Sequence, residues 1–182
     1  MSYIKLCVVN KKHLEGIIQY ANKAAKYYQS NNRTLDQKIN HIIIGKIAEY
    51  LIYQTYIDEF TKPNFNITTE PDPGWDMIHI PTKLKLDVKK QVDIKHLNLK
   101  TNELKADVYC SFVEIKYDLN VGTMEGLFEG FVSAKDLMFN LKESTNPYYR
   151  KKGYKFYVFK NNINWTFNIN DIKINELNYG NK

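Results

Sequence analysis

Apolar positions recur along this chain at two periods, and the switch between them lays out its elements. Leu14, Ile17, Ile18, Ala21, Ala24, Ala25 and Tyr28 stand at helical spacing. They predict an amphipathic helix from an Asn10 cap to about Gln29, preceded by a short strand over 3–9 and broken by Ser30-Asn31-Asn32. A longer helix starts at Thr34, where T-L-D-Q has the form of a capping box. Leu35, Ile39, Ile42, Ile43, Ile47, Leu51 and Ile52 carry its apolar face to about Phe60. Gly45 costs about 1 kcal/mol against alanine inside that helix. Close approach of another backbone, or room for Glu49 one turn on, is the expected compensation.

Pro63, Pro71, Pro73 and Gly74 keep 61–74 irregular, with Asp72 in the turn. The period then becomes two. The stretch from Trp75 to Gln91, WDMIHIPTKLKLDVKKQ, reads as a β-hairpin turned at Pro81-Thr82, with Trp75 a packing residue. In its second arm, Leu84 to Val92, side chains alternate, so Asp87, Lys89 and Gln91 share one face and Leu86 and Val88 the other. VDIKHLNLKTNELKA, 92–106, reads as a polar, basic loop. Val108 to Ile115 is a buried strand, 120–126 a turn, and 127–132 a further strand. A capped helix follows from Ser133 to near Lys142, then a basic aromatic loop over 146–152. Alternation over 154–160 and 164–169 predicts a terminal hairpin. Strands interspersed with helices make this one α/β (α+β) domain over 1–182, a mixed central sheet flanked by helices.

Composition fits a folded chain, at 43% apolar and 14% aromatic residues. A net charge of +6 and a pI near 9.1 suit a polyanionic partner. Cys7 and Cys110 lie far apart, without a C-x-x-C pair or a Cys/His cluster, so zinc is not expected. No signal-like start and no apolar run approaching 18 residues is visible, which predicts an intracellular protein without a membrane contact.

The hairpin carries the chemistry. Two carboxylates held close repel unless a proton or a cation sits between them, and hard oxygen donors favour Mg²⁺ or Mn²⁺. Asp76 and Asp87 form that pair, and the Lys89 ammonium stands beside them to orient water against a phosphate. Asp76 followed by Asp87-Val88-Lys89 resembles the D…(D/E)xK signature of the PD-(D/E)xK nuclease superfamily, in which a glutamate-bearing helix precedes the first aspartate. Here GKIAEYLI supplies Glu49. The resemblance spans roughly 35–141.

That resemblance implies a restriction endonuclease-like sheet and a Mg²⁺- or Mn²⁺-dependent DNA endonuclease, ahead of an exonuclease. It implies metal ligation by Asp76, Asp87 and the Val88 carbonyl, with Glu49 acting directly or through water. Lys89 takes the role of activating the attacking water, and Gln91 that of bonding substrate or a metal-bound water. The absence of proline before Asp76 departs from the family pattern. DNA contacts are expected from Lys83, Lys85, Lys90 and Lys95, and from the Arg150, Lys151, Lys152 cluster beside Tyr148 and Tyr149. Cutting both strands is compatible with a homodimer, although no interface is legible. Two alternatives stay open: a catalytically inactive nuclease-like domain that binds nucleic acid, and a protein-interaction domain in which the three side chains form a solvated salt-bridged strand face.

Overall fold

The computed structural model describes residues 3–27, 33–65, 75–90, 95–100, 104–151 and 153–172. Its strands are β1 (Ile4–Val9), β2 (Met77–Ile78), β3 (Lys85–Lys90), β4 (His96–Leu99), β5 (Val108–Asp118), β6 (Thr123–Ser133), β7 (Lys142–Glu143) and β8 (Phe156–Phe159). Its helices are α1 (Lys11–Ala24), α2 (Leu35–Thr55), α3 (Ala134–Phe139) and α4 (Pro147–Lys151). The first sheet has five strands in the order β1-β6-β5-β3-β2, and the second has three, β4-β8-β7. In the first sheet only β3 and β5 run parallel. The fold is therefore mixed α+β.

Two layers close the main sheet. On one face α1 and α2 set Leu14, Ile17, Ile43, Ile47 and Leu51 against Leu86, Cys110, Phe112 and Phe128. On the other, the small sheet and α3 bring Leu97, Leu99, Val158 and Leu137 against Tyr109 and Val132. With both faces covered, β5 is apolar almost throughout its first half, as a doubly buried strand must be.

Local chemistry sets the ends of these elements. The Asn10 side chain accepts from the His13 N–H at 3.0 Å and starts α1. Thr34 and Gln37 exchange the two bonds of a capping box at the head of α2, at 3.3 and 3.1 Å. The tip of the β5–β6 hairpin is docked on α1: the Asn10 N–H donates to the Gly122 carbonyl at 2.9 Å. Gly122 has φ +82°, and a Cβ there would lie 2.4 Å from the Lys11 Cα, so only glycine fits.

Several elements differ from the sequence pattern. α1 stops at Ala24, while 28–32 lie outside the described residues. α2 ends at Thr55 rather than Phe60, because Asp58 turns left-handed (φ +67°) and Phe60 is drawn into a bridge with His79 at the hairpin edge. Among the described residues, Gly45 has nothing within 4 Å of a notional Cβ, so the expected approach of another backbone is not seen there. Within the stretch read as a loop, β4 forms because Leu97 and Leu99 find an apolar floor and β8 supplies hydrogen bonds. β6 begins at Thr123, inside the expected turn. Pro147–Lys151 is a short helix, with Asn146 accepting from the Tyr148 N–H, rather than a loop. The expected terminal hairpin does not form: β8 pairs with β4 and β7, and Thr166 instead bridges to Phe131. Gly130 permits that crossing, since a Cβ there would meet the Thr166 carbonyl at 2.7 Å.

One ion pair fastens the small sheet to β6. Lys160, just beyond β8, donates to Glu129 Oε2 at 2.6 Å, with side chains 0% and 1% exposed. An enclosed charge depends on its partner. Glu129→Ala is expected to cost about 3–5 kcal/mol in urea unfolding, while the double change Glu129→Leu with Lys160→Met regains most of it. Equal losses in the single and double variants would show that the pair carries no such dependence.

Candidate active site

The β2–β3 hairpin is the frame of the site, and the end of α2 is its brace. The Thr61 N–H donates to the Ile78 carbonyl and the Ile80 N–H to that of Glu59, at 2.9 and 2.7 Å. His79, wholly buried, meets Thr82 Oγ1 at 2.6 Å and Glu59 Oε2 at 3.4 Å. The chain leaving α2 thus runs along β2, which fixes the hairpin relative to the helix that carries Glu49.

Asp76 sits immediately before β2. Its N–H donates to the Leu86 carbonyl at 2.8 Å, and its Oδ2 accepts from the Val88 N–H at 2.7 Å. The backbone of β3 therefore orients this carboxylate, and both side-chain hydrogen bonding and charge couple it to Asp87. Asp87 Oδ2 in turn accepts from Lys89 Nζ at 2.6 Å. As the alternation predicts, Asp87 and Lys89 share a face, while Leu86 and Val88 pack toward α2. From α2, Glu49 reaches the same region and is held by both oxygens on Lys46 Nζ, at 2.9 and 2.7 Å.

Electrostatics follows from crowding three acids where little water reaches. Burial is the largest influence on Glu49, and Asp76 adds to it; together they outweigh Lys46 and push the carboxyl up to about 8. Burial likewise raises Asp87 to about 6, with Asp76 raising and Lys89 lowering it. Burial pulls the two lysines down, yet the carboxylate charges win and hold both above their ordinary value. An acid and its ammonium partner are thus raised together, because the local excess is negative. Lys89 also lies 6.0 Å over the Tyr109 ring.

The donors are all hard oxygens in a region of excess negative charge, which fits Mg²⁺ or Mn²⁺. Asp76 and Asp87 are the residues that would hold such an ion, and Glu49, bonded to Lys46, would reach it through water. Among the described residues, no group of three His, Cys, Asp or Glu side chains already converges at ligand distances.

The expected phosphate contacts separate into groups. Lys83 is exposed on the hairpin turn with φ +62°, and Lys95 is exposed ahead of β4. Lys85 is engaged by Trp75, its Nζ 4.0 Å over the ring, which also shows Trp75 to be a packing residue. Lys90 is half-buried on the face opposite Lys89. Arg150 pairs with Glu143 at 3.8 Å on the exposed side of the small sheet, with Lys151 beside it. Gln91, Lys152 and Asp72 lie outside the described residues.

Sequence reasoning missed Lys46, although a lysine three positions before a half-apolar-face glutamate is a helix-pairing signal. It also missed a basic corner around His41, whose imidazole is lowered by burial and then by Arg33, Lys100 and Lys90. Arg33 and His41 are remote in sequence from Lys90 and Lys100, so no local spacing joins the four.

A carboxyl raised by folding favours the protonated state, so its stability contribution is present below the unfolded value and lost as pH rises through the folded one. For Glu49 that window runs from 4.5 to about 8. In metal-free buffer, the stability of wild type relative to Glu49→Gln is expected to fall by up to about 1.4 kcal/mol per pH unit across it. Urea unfolding from pH 4 to 9 measures this, and parallel curves for the two proteins would contradict it.

Comparison with known proteins adds no relative: no family model, curated protein or solved structure matches this chain.

Proposed function

We propose that this chain is a Mg²⁺- or Mn²⁺-dependent nuclease of restriction endonuclease-like fold that hydrolyses phosphodiester bonds in DNA. The observation that carries the reading is the partly buried cluster of Asp76, Asp87 and Lys89, with Glu49 brought against it from α2. A mixed sheet in which the acid-bearing hairpin lies beside the parallel β3–β5 pair, backed by the glutamate-bearing helix, supports the fold assignment. So does the resemblance of Asp76…Asp87-Val88-Lys89 to the PD-(D/E)xK signature.

Asp76 and Asp87 would hold the divalent ion, with the Val88 carbonyl as a further oxygen and Glu49 contributing through water. Held there, such an ion would supply charge stabilisation for the phosphate and acidify a water. Asp76 keeps its direction through the Val88 N–H, so ligand geometry is set by the strand backbone. Lys89 donates toward the attacking water and the phosphate oxygens, and its charge offsets what develops there. Lys46 holds Glu49 in place. The exposed Lys83, and the Arg33, Lys90, Lys100 corner, suit the flanking phosphates of a nucleic-acid strand.

A second reading has its own observation. Lys46 and Lys89 already neutralise Glu49 and Asp87 at 2.7 and 2.6 Å, an arrangement that serves a nucleic-acid-binding domain that does not cut.

Purified protein is expected to cleave at least one of linear, supercoiled, single-stranded or branched DNA in Mg²⁺ or Mn²⁺. EDTA or Asp87→Ala should abolish cleavage, and Lys89→Ala should lower it about 100-fold or more. Intact DNA throughout that panel, with Mn²⁺ uptake absent in calorimetry, sinks the enzymatic reading and leaves the binding domain.

A further inference from the structure

Ser111 is the register partner of Lys89 across the parallel β3–β5 pair. Register partners project from one face of a sheet, about 5 Å apart, so Ser111 stands with Asp87, Lys89 and Tyr109. Its side chain is 0% exposed, and its hydroxyl has no hydrogen-bond partner among the described residues. Enclosed hydroxyls in folded proteins nearly always have one, because leaving water without a replacement bond is costly.

Lys89 is the neighbour that lacks an alternative. Its ammonium donates to Asp87 Oδ2, the carboxylate that a divalent ion takes in the proposed function. When Asp87 turns to the ion, a side chain only 34% exposed needs another acceptor. The Tyr109 hydroxyl is already engaged by the backbone at Ala106 and Lys105. Glu129 Oε1 is also unpartnered, but it lies one strand farther, beside the Gly130 that pairs with Ser111, and its carboxylate is bound to Lys160.

We infer that Ser111 is a positioning residue for Lys89: with a divalent ion on Asp87, its Oγ accepts one ammonium N–H and aims the other two at the water and the phosphate. The inference rests on the metal-dependent reading of the cluster. It makes the hydroxyl idle in the metal-free protein and used in the loaded one.

The test is NMR of lysine-labelled protein titrated with Ca²⁺, with the Lys89 signal assigned by its loss in Lys89→Met. In wild type, Ca²⁺ should shift the Lys89 ammonium signal and leave its hydrogens protected from exchange. In Ser111→Ala, Ca²⁺ affinity and the metal-free unfolding midpoint should be unchanged. Ammonium exchange in the Ca²⁺ form should quicken about tenfold, the weight of one hydrogen bond from a charged donor. Ser111→Thr, which keeps the hydroxyl, should restore protection. On DNA, Ser111→Ala should lower kcat by a similar factor at constant KM. If Ca²⁺ binds and Ser111→Ala exchanges as wild type does, the positioning role is overturned while the metal site stands. If wild type takes up no Ca²⁺, Mg²⁺ or Mn²⁺, the metal reading fails and the role of Ser111 falls with it.

Discussion

Mutual repulsion among Asp76, Asp87 and Glu49 is the constraint around which this molecule is arranged. Three carboxyls, one just before β2, one on β3 and one on α2, are gathered where water is scarce, and three nearby donors answer to them. Lys46 donates to both oxygens of Glu49, Lys89 donates to Asp87, and the Val88 N–H donates to Asp76. Even so, burial and shared charge leave Glu49 and Asp87 raised. A site that retains unrelieved negative potential after two ammonium groups have been spent on it is suited to a concentrated positive charge.

The two-sided covering of the main sheet makes that crowding tolerable. The α1 and α2 layer supplies Glu49 and Lys46, while the small sheet closes the face on which Asp87 and Lys89 project. Glu129 and Lys160 tie this second layer down with an ion pair that no water reaches. The same face therefore holds two charged arrangements with different duties: one sealed, its acid matched by one ammonium, the other partly open and short of positive charge. That difference in access, rather than in residue type, separates a fastening from a site.

Much of this was legible along the chain. The caps at Asn10 and Thr34, the hairpin, the shared face of Asp87 and Lys89 and the buried run in β5 are all local signals, carried by spacings of two to four residues. What escaped was set by partners distant in sequence. His96–Leu99 becomes a strand only because β8, some sixty residues on, offers its edge. The 164–169 segment has good alternation yet crosses to Phe131, because Gly130 leaves an opening there. Within the site, Asp76, Asp87, Lys89 and Glu49 were readable from a motif. Ser111 was not, since nothing in SFVEI marks a hydroxyl that faces a lysine on another strand.

The pairing of β1 with β6 sets the timing of assembly. Ile4 finds Phe128, so β1 waits for the last strand of its own sheet in chain order. The burial that raises Glu49 and Asp87 needs β5 and β6 in place, because Leu86 and Val88 beside them pack with Cys110, Phe112 and Phe128. Non-local pairing of this kind makes closure slow and cooperative. A cluster buried in that way depends on the strand that closes the sheet, and a fragment ending before β6 carries all three acids without the surroundings that raise Glu49 and Asp87.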